Sequence, residues 1–341
     1  MSLTTMIKED AIPFLEYPSP NRNDKTRKQC LIFFITGNPG LAAYYIPFLT
    51  TLRQLLNERE SNPSSNQAHH IYSRNLLGFS DHDHTPTFGT TYTTPSGETL
   101  TTHPFTLEDQ IQSITSTLLT LNTPTSFSSI ILVGHSVGAY IATEIFHRFH
   151  LSLSPSLLLT SAILLFPTLT NIADSPSGQK LNLIRTTPFL NTYTHHLAKS
   201  IVSLLPTFVL RSVLTNIMRF PPHALNATLE FLQSKDGIWQ AIHMGKDEMA
   251  TITEEKWSEE LWQLQHDSQG QGGEKFYFYF AKKDHWVADE VRDAFIEKRQ
   301  GDKRGRTKVT ICEENIPHAF CLRHSETVAE KVRVWIEEIT G

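Results

Sequence analysis

An α/β fold built on a doubly wound, mostly parallel sheet is predicted by three features of this 341-residue chain. Short apolar runs recur at 30–35 (CLIFFI), 130–133 (IILV) and 161–166 (SAILLF), the pattern of strands covered on both faces. Amphipathic stretches of helical period alternate with them, at 44–56 and 106–121. Two of the runs enter a glycine-containing turn that opens a helix at once. Strand, helix, strand, helix, strand in this order winds into a parallel sheet with right-handed crossovers.

Composition bounds the rest. A hydrophobic content of 39% and 20 Phe supply a sizeable core, and the length suits one large domain with insertions or two domains. The net charge of −5 argues against nucleic acid as a partner. Cys30, Cys312 and Cys321 show no metal or disulfide spacing and read as small buried hydrophobes of a reducing compartment. The start of the chain, with Lys8, Glu9 and Asp10, does not read as a signal peptide. The uncharged run 151–173 is broken by Pro155 and Pro167 and is too short to span a membrane. It reads as a loop followed by the 161–166 strand.

Taken in order, 12–17 is a short edge strand. The strand 30–35 runs into Thr36-Gly37-Asn38-Pro39-Gly40, and a helix follows with Tyr44, Tyr45, Phe48, Leu49, Leu52, Leu55 and Leu56 at helical spacing. A turn in this place supplies a main-chain oxyanion donor. Pro39 has no N–H, so Asn38 is the candidate. Residues 61–70 read as a polar linker and 71–75 as a short strand. Asp81-His82-Asp83-His84 resembles a ligand cluster, but it lies in a Thr-, Pro- and Gly-rich stretch with no further ligand set. It is expected to be a solvated loop without metal. Thr106 is the expected N-cap of the 106–121 helix, with Glu108 and Asp109 in its first turn.

The strand 130–133 ends in Gly134-His135-Ser136-Val137-Gly138, and a helical run begins at Tyr140. A G-x-S-x-G turn between strand and helix lifts the serine above the sheet on strained backbone. Its glycines leave room where a Cβ would clash, and the helix N-terminus places free N–H groups beside the serine. Ser136 is the expected nucleophile and the Val137 N–H the second oxyanion donor.

The next clear strand is 275–281 (KFYFYFA). The intervening residues 168–274 exceed any crossover and read as a helical lid, set into a core of 1–167 and 275–341. From 175 to 229 the chain has no Asp or Glu but holds Lys180, Arg185, Lys199, Arg211 and Arg219. Within 197–220 polar residues recur at every fourth position (Lys199, Ser203, Thr207, Arg211, Thr215 and Arg219) and leave a broad apolar face, which Pro206 must kink or split. Lys199, Arg211 and Arg219 are therefore candidate contacts to an anionic lipid surface. Residues 230–262 read as further helix and 267–274 as a linker.

Asp284 follows the 275–281 strand, where a triad carboxylate belongs; Asp289 is its rival. His318 lies in the loop between the last strand, 308–313, and the closing helix, 325–339, for which Ser325 is the expected N-cap. His324 is nearer the helix and reads as structural. The order Ser136, Asp284, His318 is that of the α/β-hydrolase fold. His318 would take the Ser136 proton and Asp284 would orient the imidazole. This chemistry needs no cofactor and no metal.

Gly37-Asn38-Pro39-Gly40 with Tyr44, Tyr45 and Phe48 behind it, Gly134-His135-Ser136-Val137-Gly138-Ala139-Tyr140, and Asp284-His285-Trp286 with His318 together resemble the lipid droplet-associated hydrolase family. The G-N-P-G turn discriminates, since many hydrolases carry H-G there. The likeness spans 30–340, with 61–105 and 265–275 reading as added loops. It implies a serine hydrolase acting on lipid esters of the sterol ester or acylglycerol type, held peripherally at lipid droplets and the cytosolic face of the endoplasmic reticulum. A droplet-surface protein of little or no catalytic power, acting in droplet turnover or fusion, is the alternative. A soluble hydrolase of small esters or thioesters is a third reading, distinguished by turnover without an interface.

Overall fold

The computed structural model describes residues 11–62, 64–93, 97–125, 127–152, 157–257, 259–262, 275–300 and 307–341. Nine strands are present among them: β1 (Phe14–Tyr17), β2 (Lys28–Ile35), β3 (Gln67–Arg74), β4 (Thr91–Thr93), β5 (Thr99–Thr101), β6 (Ser129–His135), β7 (Leu159–Leu165), β8 (Lys275–Phe280) and β9 (Thr307–Ile311). Seven form one sheet in the order β1-β3-β2-β6-β7-β8-β9, and β4 and β5 make a separate hairpin. Only β1 runs antiparallel in the large sheet, as its edge strand. The expected central runs are its buried strands. Ile32, Phe33, Ile131, Leu132, Ile163 and Leu164 are wholly shielded from water, which is why these strands read as unbroken apolar sequence.

β3 starts at Gln67, inside the stretch expected to be a linker. Its His69 joins a buried polar network centred on Glu60. Glu60 accepts the His69 N–H at 3.0 Å, the Arg53 guanidinium at 2.7 Å and the Ser19 hydroxyl at 2.5 Å. Polarity here marks a buried network rather than solvent.

The helices are α1 (Ile46–Glu60), α2 (Leu107–Thr125), α3 (Val137–Ser152), α4 (Pro176–Thr186), α5 (Pro188–Ser203), α6 (Thr207–Ser212), α7 (Pro222–Gln233), α8 (Gly237–Thr251), α9 (Glu259–Trp262), α10 (Asp289–Gln300) and α11 (Ser325–Thr340). α1 packs on α11 and α2 on α3. Thr106 and Asp109 cap α2 reciprocally: Thr106 Oγ1 accepts the Asp109 N–H at 3.2 Å, and Asp109 Oδ2 accepts the Thr106 N–H at 2.7 Å. Ser325 is not a cap. It is the first residue of α11, and its hydroxyl donates back to the Cys321 carbonyl. The three cysteines are buried and unbridged.

Among the described residues, six α-helices, α4 to α9, lie between β7 and β8. Pro206 does split the apolar stretch: α5 ends before it, and α6 starts after it and continues into a π-helical turn, Val213–Ile217. The two arms meet at 96°. Among the described residues no single helix is long and apolar enough to cross a membrane. The further helix expected over 230–262 is broken into pieces. α7 stops at Gln233, and Ser234 Oγ accepts the Gly237 N–H at 3.0 Å where α8 begins. Lys8 to Asp10, Pro155 and the linker expected at 267–274 lie outside the described residues.

The Asp81–His84 loop is a further correction. Asp83 and His84 are buried. His84 Nδ1 meets Asp83 Oδ1 at 2.5 Å and Nε2 meets Asp236 Oδ2, at the start of α8, at 2.9 Å. Two carboxylates leave both ring nitrogens as donors, so this is a buried imidazolium. It ties the loop to α8.

The sheet also says where a site belongs. The chain passes from β2 outward to β3, then returns to place β6 on the other side of β2. This reversal opens a crevice at the carboxyl ends of β2 and β6, where Ile35 pairs with Gly134. Open α/β sheets bind their ligands there.

Candidate active site

Ser136 stands at that crevice, between the end of β6 and the first residue of α3. Its φ is +55°, a left-handed conformation that costs a non-glycine residue about 1–3 kcal/mol. The neighbours over-determine it. The Ser136 N–H donates to the Leu165 carbonyl at 3.0 Å, and its own carbonyl accepts the Ala139 N–H at 2.9 Å. The flanking glycines are required by contact. A Cβ on Gly134 would lie 2.4 Å from the Gly138 carbonyl oxygen, and one on Gly138 would lie 2.3 Å from that of Ile35.

His318 comes from the loop after β9 and Asp284 from the loop after β8. His318 Nε2 is 2.8 Å from Ser136 Oγ, and His318 Nδ1 is 2.8 Å from Asp284 Oδ2. Asp284 Oδ1 accepts the Trp286 N–H at 2.8 Å. Burial pushes the Asp284 carboxyl up, but the His318 ring and the Trp286 N–H outweigh it and hold it below the usual carboxylate range. Asp289 instead opens α10 and pairs with Arg292 at 2.8 Å. His324 precedes α11 and is not part of the line.

Gly37 and Asn38 run past the serine: a Cβ on Gly37 would lie 3.1 Å from Ser136 Cβ. The Asn38 N–H makes no hydrogen bond among the described residues. The Val137 N–H, first in α3, has no carbonyl of its own helix to bind. The Asn38 side chain turns the other way. Its Nδ2 donates to the Ala241 carbonyl at 3.1 Å and to Glu248 Oε1 at 3.0 Å, both on α8.

A cavity of about 400 Å³ opens over Ser136 and His318, walled by Tyr44, Leu181, Phe220, Ile242, Trp286 and Leu322. Its lining is mainly apolar, as in sites that take an organic ligand. A larger groove of about 990 Å³ between α1, β9 and α11 is open and polar and contains none of these groups.

His135 and Tyr45, to which the sequence assigned no role in the site, join its two sides. The Gly37 N–H donates to Tyr45 Oη at 3.1 Å, Tyr45 Oη lies 2.7 Å from His135 Nδ1, and His135 Nε2 lies 2.9 Å from the His318 carbonyl. The carbonyl can only accept, so Nε2 carries the proton and the tyrosine donates to Nδ1. Full burial, together with the nearby His318 ring, pushes His135 down to about 3, so the ring is neutral. Glu248 was also missed. Its signal is its place in the apolar stripe of α8, with Ile238, Ala241, Gly245 and Ile252 at helical spacing.

Of the three candidate lipid contacts, Arg211 and Arg219 are exposed. Lys199 is half-buried and donates to the Ser234 carbonyl. It points inward because it shares the face of α5 that carries buried His195, opposite Leu197.

Solved structures with this fold include the peroxisomal α/β-hydrolase Lpx1 from Saccharomyces cerevisiae, with a TM-score of 0.61 at 12% identity over 96% of this chain and 82% of that one. An esterase from Exiguobacterium antarcticum gives 0.55 at 13% identity over 96% and 95%. The architecture is therefore the α/β-hydrolase fold. By sequence, the chain is 26% identical to the lipid droplet-associated hydrolase of Mus musculus over 92% of this chain and 87% of that protein. It is 26% identical to that of Homo sapiens over 90% and 84%. A profile described as lipid-droplet associated hydrolase matches residues 28–321. The chain belongs to the lipid droplet-associated hydrolase family.

Proposed function

We propose that the protein is a serine hydrolase of lipid esters, of the sterol ester or acylglycerol type, that works at a lipid droplet surface. The observation that carries this reading is the continuous line from Ser136 through His318 to Asp284 beside an apolar cavity. His318 Nε2 takes the Ser136 proton as Oγ attacks the ester carbonyl, and Asp284 stabilises the imidazolium. The Asn38 and Val137 N–H groups receive the oxyanion, each worth about 3 kcal/mol in comparable sites. Collapse of the tetrahedral intermediate expels the alcohol, which His318 protonates, and leaves an acyl-serine. Water, activated by His318, then releases the acid. No step requires a cofactor or metal.

In this reading 1–167 and 275–341 are the catalytic core and 168–274 the lid. Leu181, Phe220 and Ile242 of that segment wall the cavity. That segment also exposes Phe189, Leu197, Ile201, Leu204, Phe208 and Ile217, large apolar side chains of the kind that meet a lipid surface. The relatives named lipid droplet-associated support the droplet as that surface, with Arg211 and Arg219 at its rim. The same exposed side chains favour the second reading, a droplet-surface protein whose site is idle.

Labelling with a fluorophosphonate probe and hydrolysis of a short-chain p-nitrophenyl ester separate the two. Wild type is expected to react in both assays. Ser136→Ala is expected to lose labelling entirely and to lose turnover by roughly 10⁴-fold or more. Equal labelling of the two proteins would refute Ser136 as nucleophile. No reaction of wild type, with or without a lipid emulsion, would favour the second reading.

A further inference from the structure

Glu248 is the one buried acid of the cavity that the proposed chemistry leaves unused. It lies on α8, facing the oxyanion turn rather than solvent. Its carboxyl and the Ala241 carbonyl take both protons of the Asn38 carboxamide, at 3.0 and 3.1 Å. Among the described residues, nothing else hydrogen-bonds the Asn38 side chain. The segment proposed as the lid therefore reaches across 210 positions of sequence to grip Asn38, the proposed main-chain oxyanion donor.

We propose that Glu248 is a positioning residue for the hydrolysis: through the Asn38 carboxamide it sets the oxyanion turn, so that the lid helix α8 and the oxyanion pocket are assembled as one unit. This rests on the serine-hydrolase reading above.

The electrostatics support a specific form of the tether. Burial pushes the Glu248 carboxyl up to about 8, the Asn38 hydrogen bond pulls against this, and the neighbouring Asp247 charge adds to the rise. At neutral pH the group is mainly the uncharged acid. The groups around it do not supply a compensating cation. Tyr44 and Tyr45 from the turn before α1 and Cys321 from the loop after β9 are buried and raised, hence neutral. His135 from β6 is lowered and neutral. α4 contributes Leu181, and His318 is the proposed base. Asp247 is turned to α2, where it accepts the Leu107 N–H at 2.7 Å. An ionised Glu248 would thus put an unpaired negative charge on the wall of a pocket in which negative charge must develop, and a low-dielectric surrounding magnifies that repulsion.

The test follows the Asn38 side-chain amide by NMR, after selective ¹⁵N-asparagine labelling, and kcat for the short-chain ester, from pH 6 to 10. Wild type, Glu248→Gln and Glu248→Ala are compared. The Asn38 amide signal of wild type is expected to titrate with a midpoint near 8, and kcat to fall on the order of tenfold through the same range. Glu248→Gln keeps a carbonyl to accept the Asn38 proton, so it should retain kcat at pH 7 within about threefold and show neither titration. Glu248→Ala should lose kcat at every pH, on the order of tenfold or more, with KM little changed. An Asn38 signal that ignores pH in wild type, an alkaline fall that persists unchanged in Glu248→Gln, or full kcat in Glu248→Ala would overturn the proposal. A wild type that does not react with fluorophosphonate refutes the hydrolase reading instead, and the NMR titration still decides the tether.

Discussion

At the scale of single residues, His135 shows how a neutral imidazole can be structural and still bear on catalysis. It receives the Tyr45 proton, donates to the His318 carbonyl, and packs edge-on to Phe320 and Phe166. Two loops far apart in sequence are thereby held to one ring. Tyr45→Phe leaves the Gly37 N–H and His135 Nδ1 without their partner, a cost of about 1–3 kcal/mol. A several-fold fall in kcat with little change in KM is expected, measured on the soluble ester. Because His135 is held near 3 while an unfolded histidine titrates near 6.5, protonation favours the unfolded chain. The stability it contributes is present above 6.5 and is lost as pH falls toward 3. Urea unfolding at pH 7 and at pH 4 should therefore show a smaller drop for His135→Phe than for wild type. An equal drop would show that His135 is not the group responsible. Ser136, Asp284 and His318 were legible in the sequence because each sits at a strand end that the fold order prescribes. His135, Tyr45 and Glu248 were not. Their partners lie 183, 90 and 210 positions away, and no local period records such a contact.

At the scale of elements, the same limit explains the loop 81–84. Its composition is that of a solvated turn, yet its buried histidine is matched by Asp236, 152 residues on. The central strands and α1 to α3 could be read because two-sided burial and helical period leave a mark within a few residues. The break between α7 and α8 could not, since it is held by contacts to distant residues: Asp236 meets His84, and the Lys235 N–H donates to Asp81. The consequence is testable. Burial alone would lower the His84 pKa, but its hydrogen bonds to Asp236 and Asp83 dominate and lift it to about 9. The group is charged in the fold, so its stabilisation is complete below 6.5 and is lost as pH rises through 9. Glu248 has the same sign but a lower window, from 4.5 to about 8. Above pH 9 the buried thiols of Cys30 and Cys321, pushed up to about 12, cost stability as well, so His84 is read from the difference between wild type and His84→Gln in thermal unfolding from pH 6.5 to 9. His84→Gln should start lower, by about 3 kcal/mol for a broken buried pair, and the gap should narrow as pH rises through that interval. A gap that stays constant from pH 6.5 to 9 would mean that the imidazolium does not hold the loop to α8.

For the whole molecule, the apolar outer face and the cavity belong to one segment. Leu204 is 80% exposed and Phe208 is 74% exposed, whereas Phe220, a few residues on, walls the cavity. Arg323, in the loop after β9, donates to the Met218 and Arg219 carbonyls at 3.2 and 3.0 Å and anchors the segment between them. The face is at the bend between α5 and α6, where the apolar residues of both arms are left uncovered by the other described residues. If they enter a lipid monolayer, each large side chain contributes about 1.5–3 kcal/mol of transfer free energy, and each basic residue at the rim about 1 kcal/mol on an anionic surface. The apolar part should therefore dominate. Leu204→Glu with Phe208→Glu is expected to lower the fraction that floats with a triacylglycerol emulsion by at least 100-fold in partition coefficient, at any salt concentration. Arg211→Gln with Arg219→Gln should lower it by about 30-fold, only on emulsions with anionic phospholipid, and not at high salt. Both variants should hydrolyse a soluble short-chain ester like wild type, since none of the four residues touches the Ser136–His318–Asp284 line. Flotation of the glutamate variant equal to wild type would remove this face from the interface. A basic variant that loses as much as the glutamate variant would make the attachment electrostatic instead.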